Sequence, residues 1–137
     1  MQSMREKKNK VVIGPEKHRP VNSAIYRAKL LQMRLGIGAF DQPAYLLSWE
    51  ILDESLYKDR IISDFVNKNS NGLRGKLWQL RRALTNDELD IFDSFFMEDL
   101  LGKECFIDVE KRGGFNAVSR YICPKDLEGV KRLRFPA

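Results

Sequence analysis

Several basic and aromatic side chains lie in segments predicted to be strands or their connections, where together they could hold a polymer carrying negative charge and flat rings. Guanidinium and ammonium groups attract phosphates, and aromatic faces stack on nucleobases, which contributes about 1–3 kcal/mol per base. The basic candidates for phosphate contact are Arg27, Lys29, Lys58, Arg60, Lys111, Arg112 and Arg120. The aromatic candidates for base stacking are Phe40, Phe106 and Tyr121.

The basic candidates fall where a binding groove on a small sheet would need them. Arg27 and Lys29 alternate with apolar residues, so a strand would turn both side chains outwards. Lys111 and Arg112 come directly before two glycines, which would let the backbone of a hairpin tip approach a ligand closely.

A buried core is the competing interpretation of the aromatic residues. Tyr45 and Trp49 are in phase with Leu47 and Ile51, which favours a core role for both. For Phe106 and Tyr121 the sequence leaves core and surface equally open. The aromatic residues of the later helical region are expected in a core or at a protein interface; they are Trp78, Phe92, Phe95 and Phe96.

The residues needed for catalysis or metal binding are poorly represented. The single histidine, His18, and the two cysteines, Cys105 and Cys123, are too few and too far apart for a structural zinc site. No nucleophile motif surrounds them, and Gly36-Ile37-Gly38 lacks the Lys and Ser/Thr of a phosphate-binding loop. A two-metal nuclease site is a minor alternative, built from Asp87, Asp90, Asp93, Glu98 and Asp99. We therefore expect no enzymatic activity, no cofactor and no metal, with two reduced and buried thiols.

Positive charge is concentrated at the two ends of the chain. The whole chain has a net charge of +5, but residues 1–34 carry nine Lys/Arg against two acids and residues 101–137 carry eight against five. Residues 35–100 carry seven against twelve. This pattern is compatible with a polyanionic partner and equally with solvated termini.

Three segments are predicted to be the first strands, and a period of two in the apolar residues is clearest in the second. The first covers 24–35, and its length fits the long, coiled first strand of a small barrel. After a glycine-containing loop at 36–43, the second strand covers 44–52, and a shorter third strand covers 60–66.

The segment after the third strand is predicted to be helical. Its apolar stripe consists of Leu73, Leu77, Leu80 and Leu84. The bases off that stripe are expected on a solvated face, with a phosphate path as the alternative; they are Arg74, Lys76, Arg81 and Arg82. Thr85 to Glu88 has the pattern of a capping box for a second helix, which would end near Gly102.

The last two strands form a predicted hairpin, with a turn at 111–114 and a stop at Pro124. Three strands, a helical connection and a two-stranded hairpin is the order of an OB-fold. We therefore expect a mainly β protein, a five-stranded OB-fold barrel with helices between strands 3 and 4. The domain would cover 21–124, between a flexible basic arm at 1–20 and a basic tail at 125–137.

Short motifs in this domain resemble a family of small phage proteins of formally unknown function. They are Trp49-Glu50-Ile51-Leu52, the segment 57–64, the segment 100–105, and Phe115-Asn116-Ala117-Val118 with Tyr121. Members of that family are commonly found beside replication and recombination genes. The resemblance implies an OB-fold similar to single-stranded-DNA-binding proteins, and location in a host cytoplasm. This chain has Asp59 where the family usually has glycine, and it lacks the acidic tail with which many such proteins recruit partners.

Sequence-tolerant binding of single-stranded DNA, in replication or recombination, is the function we expect. Single-stranded RNA is an alternative ligand. The main competing hypothesis is a protein-interaction module of a nucleoprotein assembly, with the apolar patch at residues 11–13 and the phenylalanines of the second helix as contact surfaces. We expect replication or recombination proteins as further partners and no membrane, and a homo-oligomer stays open. A cytosolic location follows from the lack of a signal-like N-terminus.

Overall fold

A computed structural model describes residues 15–38, 41–68, 75–87 and 97–129. Several features of interest lie outside these ranges. They are the patch at 11–13, Phe40, Leu73, Arg74, most of the predicted second helix with its three phenylalanines, and the basic residues after 130.

The described residues form a mainly β structure around one antiparallel sheet. Its strands are β1 (Ala24–Ile37), β2 (Pro43–Ile51), β3 (Ile61–Asn67), β4 (Glu104–Arg112) and β5 (Phe115–Ile122). They are hydrogen-bonded in the order β3-β2-β1-β4-β5. The predicted strands are confirmed to within two residues at each end. The sheet is not closed into a barrel by hydrogen bonds between its two edge strands.

The inner face of the sheet carries the core. On β1 and β2 the predicted alternation places Leu30 opposite Trp49, and both are fully buried. Leu47, Ile51 and the inner residues of the other strands complete this cluster. The core role predicted for Trp49 is confirmed, and Tyr45 packs against the same cluster while half-buried.

The sheet is curved strongly enough to bring its two edges together. β1 is long and has a bulge at Leu31, and β4 and β5 have an irregularity after Asp108; both features bend and twist a strand. As a result, the Tyr121 hydroxyl on β5 donates to the Asp64 carboxylate on β3. The Tyr121 ring lies 5.6 Å from that of Trp49.

One helix, α1 (Lys76–Leu84), connects β3 to β4 and covers the open end of the sheet. The predicted stripe is confirmed for Leu77, Leu80 and Leu84, all of which are buried. Arg81, expected on a solvated face, is also buried. Further helical structure within the described ranges comprises 3₁₀ turns at Pro15–His18, Met97–Leu100 and Pro124–Asp126, and residues 127–129 are α-helical.

Thr85 closes α1 rather than opening a second helix. Its backbone has left the helix, and its hydroxyl donates to the Arg81 carbonyl at 2.7 Å. Asn86 and Asp87 then have positive φ, so the chain turns sharply. The predicted capping box is wrong at Thr85, because a threonine hydroxyl can also cap the carbonyls at the end of the preceding helix.

Two turns have the geometry that their residues suggest. Asp59 has a φ of 70°, in the left-handed region that aspartate adopts more readily than most other non-glycine residues. Gly113 has a φ of 62° in the β4–β5 turn. The turn itself is shorter than predicted, because Lys111 and Arg112 are the last residues of β4.

The end of the predicted flexible arm packs on the sheet. The Val21 backbone exchanges two hydrogen bonds with the Asn116 side chain, at 2.8 and 2.9 Å. The Arg19 carbonyl accepts a bond from Arg60 at 3.3 Å. Residues 15–21 therefore run along the gap between β3 and β5 and help to bridge the two edges.

Candidate nucleic-acid interface

The outer face of β1, β2 and β3 carries a row of short polar side chains between two rows of mostly larger side chains. We call the polar row the serine trough, or simply the trough, and the two flanking rows its ridges. Cross-strand pairing places Ser63, Ser48 and Gln32 in one row. On one side lies the row Phe65, Leu46 and Arg34, and on the other lies the row Ile61, Glu50 and Lys29, in which Ile61 is buried. The ridges are four residues apart along β2, which is about 13 Å. Because the two serines between them are short, this region can admit an extended chain.

One ridge combines an aromatic face, an aliphatic side chain and a cation. Phe65 is 40% exposed, and the Lys76 ammonium lies 5.6 Å from the centre of its ring. Arg34, at the other end of the ridge, is exposed. This ridge therefore supplies both a stacking surface and positive charge for phosphates.

The trough opens at the β3 edge into a cleft of about 140 Å³. Ser63 is shared by the trough and the cleft, and His18, Gly114 and Phe115 form the opposite wall. Phe115 is 60% exposed at the start of β5. The β4–β5 hairpin tip thus lies at one end of the trough.

The hairpin tip positions two of the predicted basic residues. Lys111 and Arg112 are both exposed, and Arg112 pairs with Glu110 at 2.7 Å. The Lys111 backbone nitrogen donates to the Ser23 hydroxyl at 2.8 Å, which holds the base of the tip against the residues before β1. Across the hairpin Lys111 pairs with Asn116 and Arg112 with Phe115, and both of these partners line the cleft.

The other predicted basic residues are mostly ion-paired. Arg27 lies 3.7 Å from Glu104, and Lys29 lies 3.5 Å from Glu50, both on the outer face of β1. Lys58 pairs with Glu54 at 2.7 Å in the β2–β3 connection. Exposed pairs of this kind are weak, so a phosphate can compete for these cations.

Arg60 and Arg120 occupy separate positions. Arg60 lies over the Tyr57 ring at 5.5 Å and binds the Arg19 carbonyl. Arg120 lies on the outer face of β5, where its Nε donates to the buried Asp108 at 2.9 Å. The structure does not bring Arg120 into the trough.

The three predicted stacking residues have different outcomes. Phe106 is half-buried on the outer face of β4, where it pairs with Arg27 of β1 and Ile122 of β5, away from the trough. Phe40 lies outside the described residues. Tyr121 is 6% exposed, and burial together with the neighbouring Asp64 carboxylate raises its pKa well above the ordinary value. Because neither face of its ring is accessible, we remove Tyr121 from the stacking candidates.

The structure adds Phe65, Phe115 and Arg34 as candidates that the sequence did not indicate. Phe65 points to the same face of β3 as Ile61 and Ser63. Asp64 points to the opposite face, between two apolar residues. Because an aspartate lies among the apolar residues of the inner face, the alternation in β3 did not show which face is buried. The cross-strand pairing with Leu46 and Arg34 is the signal that identifies Phe65 as an outer residue.

Other kinds of site are not seen in the described part of the chain. Within it, no three His, Cys, Asp or Glu side chains are grouped to hold a metal ion. Cys105 and Cys123 are both buried and free, and burial raises the pKa of each thiol. None of the helices in these residues is long and apolar enough to cross a membrane.

No protein-family model matches the chain, and no curated protein matches it. The resemblance to small phage proteins therefore stays a prediction from the sequence motifs.

Proposed function

We propose that this protein is a non-enzymatic OB-fold barrel protein that binds single-stranded DNA across the serine trough, with little sequence preference. The trough carries this proposal, because an exposed aromatic face, Arg34 and the basic hairpin tip lie along one path on the sheet. Sequence-tolerant binding fits this composition, since every base has a face that can stack. The role in phage-type replication or recombination comes from the resemblance.

The strand order supports the OB-fold part of the proposal. The OB-fold is a partly open barrel of five strands, which binds oligonucleotides on strands 2 and 3 and their adjacent loops. Here α1 lies between β3 and β4, and the trough lies on β2 and β3. Tyr121 with Asp64 connects the two sheet edges that a barrel would join, and Val21 with Asn116 holds the residues before β1 against β5.

Removal of the Phe65 side chain tests this placement. In a fluorescence anisotropy titration with a labelled 30-nucleotide DNA strand, we expect Phe65→Ala to bind about tenfold more weakly, as the loss of one stacked base predicts. Leu56→Ala is the matched control, because Leu56 is 83% exposed in the β2–β3 connection, away from the trough. Equal affinity of the two variants for DNA would rule out the trough as the binding surface. Parallel titrations with an RNA strand of the same sequence identify the preferred ligand.

A protein-interaction module is the second candidate function. Leu35 and Ile37, near the end of β1, are 65% and 64% exposed, which is unusual for large apolar residues and suits a protein contact. If this function is correct, the 30-nucleotide strand gives no anisotropy change with the unmodified protein. Replacement of both residues by serine then abolishes binding to the partner protein.

A further inference from the structure

A second aromatic cleft lies between α1 and β5, and it shares no residue with the trough. It has a volume of about 280 Å³. Trp78 and Arg82 of α1 form one wall, and Arg120 and Ile122 of β5 form the other. Residues four apart on a helix and two apart on a strand share a face, so these four side chains line the same space.

The two guanidinium groups are held in place by carboxylates, one of which, Asp126, also lines the cleft. Arg82 donates to Asp126 at 2.8 Å and lies 3.2 Å from Asp87. The hydrogen bond to Asp126 raises the pKa of Arg82. Arg120 is held by Asp108, whose side chain is buried, while the Arg120 side chain stays 40% exposed. Both cations are therefore positioned before any ligand arrives.

The chemistry of the cleft suits a nucleotide better than a peptide. An indole offers a large flat surface for a base, and guanidinium groups bind phosphate. Gln79 also lines the cleft and carries an amide, which can both donate to and accept from the edge of a base. The volume is close to the lower limit of small-ligand sites, which fits one nucleotide unit.

We infer that the Trp78 cleft is a second stacking site, which holds one nucleotide of the bound strand away from the trough. The inference rests on the proposed function, because it requires a bound strand. It also explains why Trp78, expected in a core or at a protein interface, is only half-buried and lines a cleft with two arginines.

Tryptophan fluorescence tests this site directly in the full chain. The protein has two tryptophans, and Trp49 is fully buried, so quenching by a bound base reports on Trp78. We expect an unlabelled strand of thirty thymidines to quench the fluorescence, with saturation at the same concentration as in anisotropy. Trp78→Phe should abolish the quenching while the protein remains folded, and Trp78→Ala should weaken binding about tenfold.

The possible failures can be told apart. Binding seen by anisotropy without quenching, or quenching that persists in Trp78→Phe, overturns the second site and leaves the proposed function intact. Undiminished affinity in a folded Trp78→Ala variant also overturns the second site and leaves the proposed function intact. Quenching by a phosphoserine peptide but not by the oligonucleotide overturns the nucleotide assignment. The absence of any anisotropy change overturns the proposed function, and the second site with it.

Discussion

Asp64 is the side chain at which the two edges of the sheet meet. Its side chain is 3% exposed, and it accepts hydrogen bonds from Lys76 at 3.0 Å, from the Trp49 indole at 3.3 Å and from Tyr121. These donors come from α1, β2 and β5. One buried carboxylate thus joins three elements, and its charge is balanced by Lys76.

Removal of this carboxylate should destabilise the fold. Asp64→Ala leaves buried donors on Trp49 and Tyr121 without an acceptor, and we expect the free energy of unfolding to fall by about 2–3 kcal/mol. Urea denaturation followed by circular dichroism measures this change. Glu54→Ala is the matched control, because Glu54 forms an exposed ion pair with Lys58 and should be nearly neutral. Similar losses in the two variants would contradict the joining role of Asp64.

At the residue scale, the sequence predicted that two cations lie near the tip of the last hairpin, but it did not predict which aromatic side chains are exposed. A plain period of two would place Val118 and Tyr121 on opposite faces of β5. The irregularity near Ser119 shifts the phase, so that both residues point inwards. Such a bulge has no reliable signature in the sequence, so the burial of Tyr121 could not be predicted from its position in β5, whereas Phe65 was missed because Asp64 obscured the phase of β3.

At the scale of elements, the β4–β5 hairpin is where local sequence and structure agree most closely. The turn was predicted at 111–114, and its two glycines form it while Lys111 and Arg112 remain in β4. The two glycines differ in backbone conformation, because Gly113 has a φ of 62° and Gly114 does not have a positive φ. They are alike in the space around them, since an added Cβ at either position would meet no atom within 4 Å. Backbone strain, rather than a clash, therefore determines what each position accepts.

Alanine substitutions in this turn should separate the two glycines. Gly113→Ala forces an alanine into the left-handed region, and we expect a loss of about 1 kcal/mol in unfolding free energy. Gly114→Ala, the adjacent control, should leave stability nearly unchanged. Thermal and urea unfolding of both variants measure the difference. A larger loss for Gly114→Ala would show that the turn differs from the one described.

The other elements show where sequence patterns are insufficient. The strands and α1 follow from strong periodicity, and they were predicted closely. Thr85 was misassigned because a threonine followed by acidic residues suits either end of a helix, and only the packing of Leu84 against the core decides between them. The burial of Arg81 was missed because a charged residue off the leucine stripe of a helix is expected in solvent, and the sequence does not show which elements pack around it.

At the scale of the whole molecule, the strand order was predictable, whereas the curvature of the sheet was not. The order follows from counting strands and connections, but the approach of β3 to β5 depends on bulges and on the Asp64 contacts. The placement of a binding surface depends on that curvature. The trough and the Trp78 cleft therefore depend on a three-dimensional arrangement that combines predicted binding residues, such as Lys29 and Arg120, with residues that the sequence did not assign to binding, such as Phe65 and Trp78.

The positive charge of the chain should control how strongly a strand binds. The net charge is +5, and the described basic residues nearest the trough include Arg34, Lys111 and Arg112. A protein that neutralises phosphates releases condensed counterions, so the logarithm of the association constant falls linearly with the logarithm of the salt concentration.

The most direct test is a series of anisotropy titrations of the unmodified protein with a labelled single-stranded 30-mer of mixed sequence, at increasing sodium chloride concentrations. We expect clear binding at low salt that weakens steeply as salt is added, with a slope set by the number of phosphates contacted. Absence of salt-sensitive binding at low salt would contradict the proposal that this protein binds single-stranded DNA.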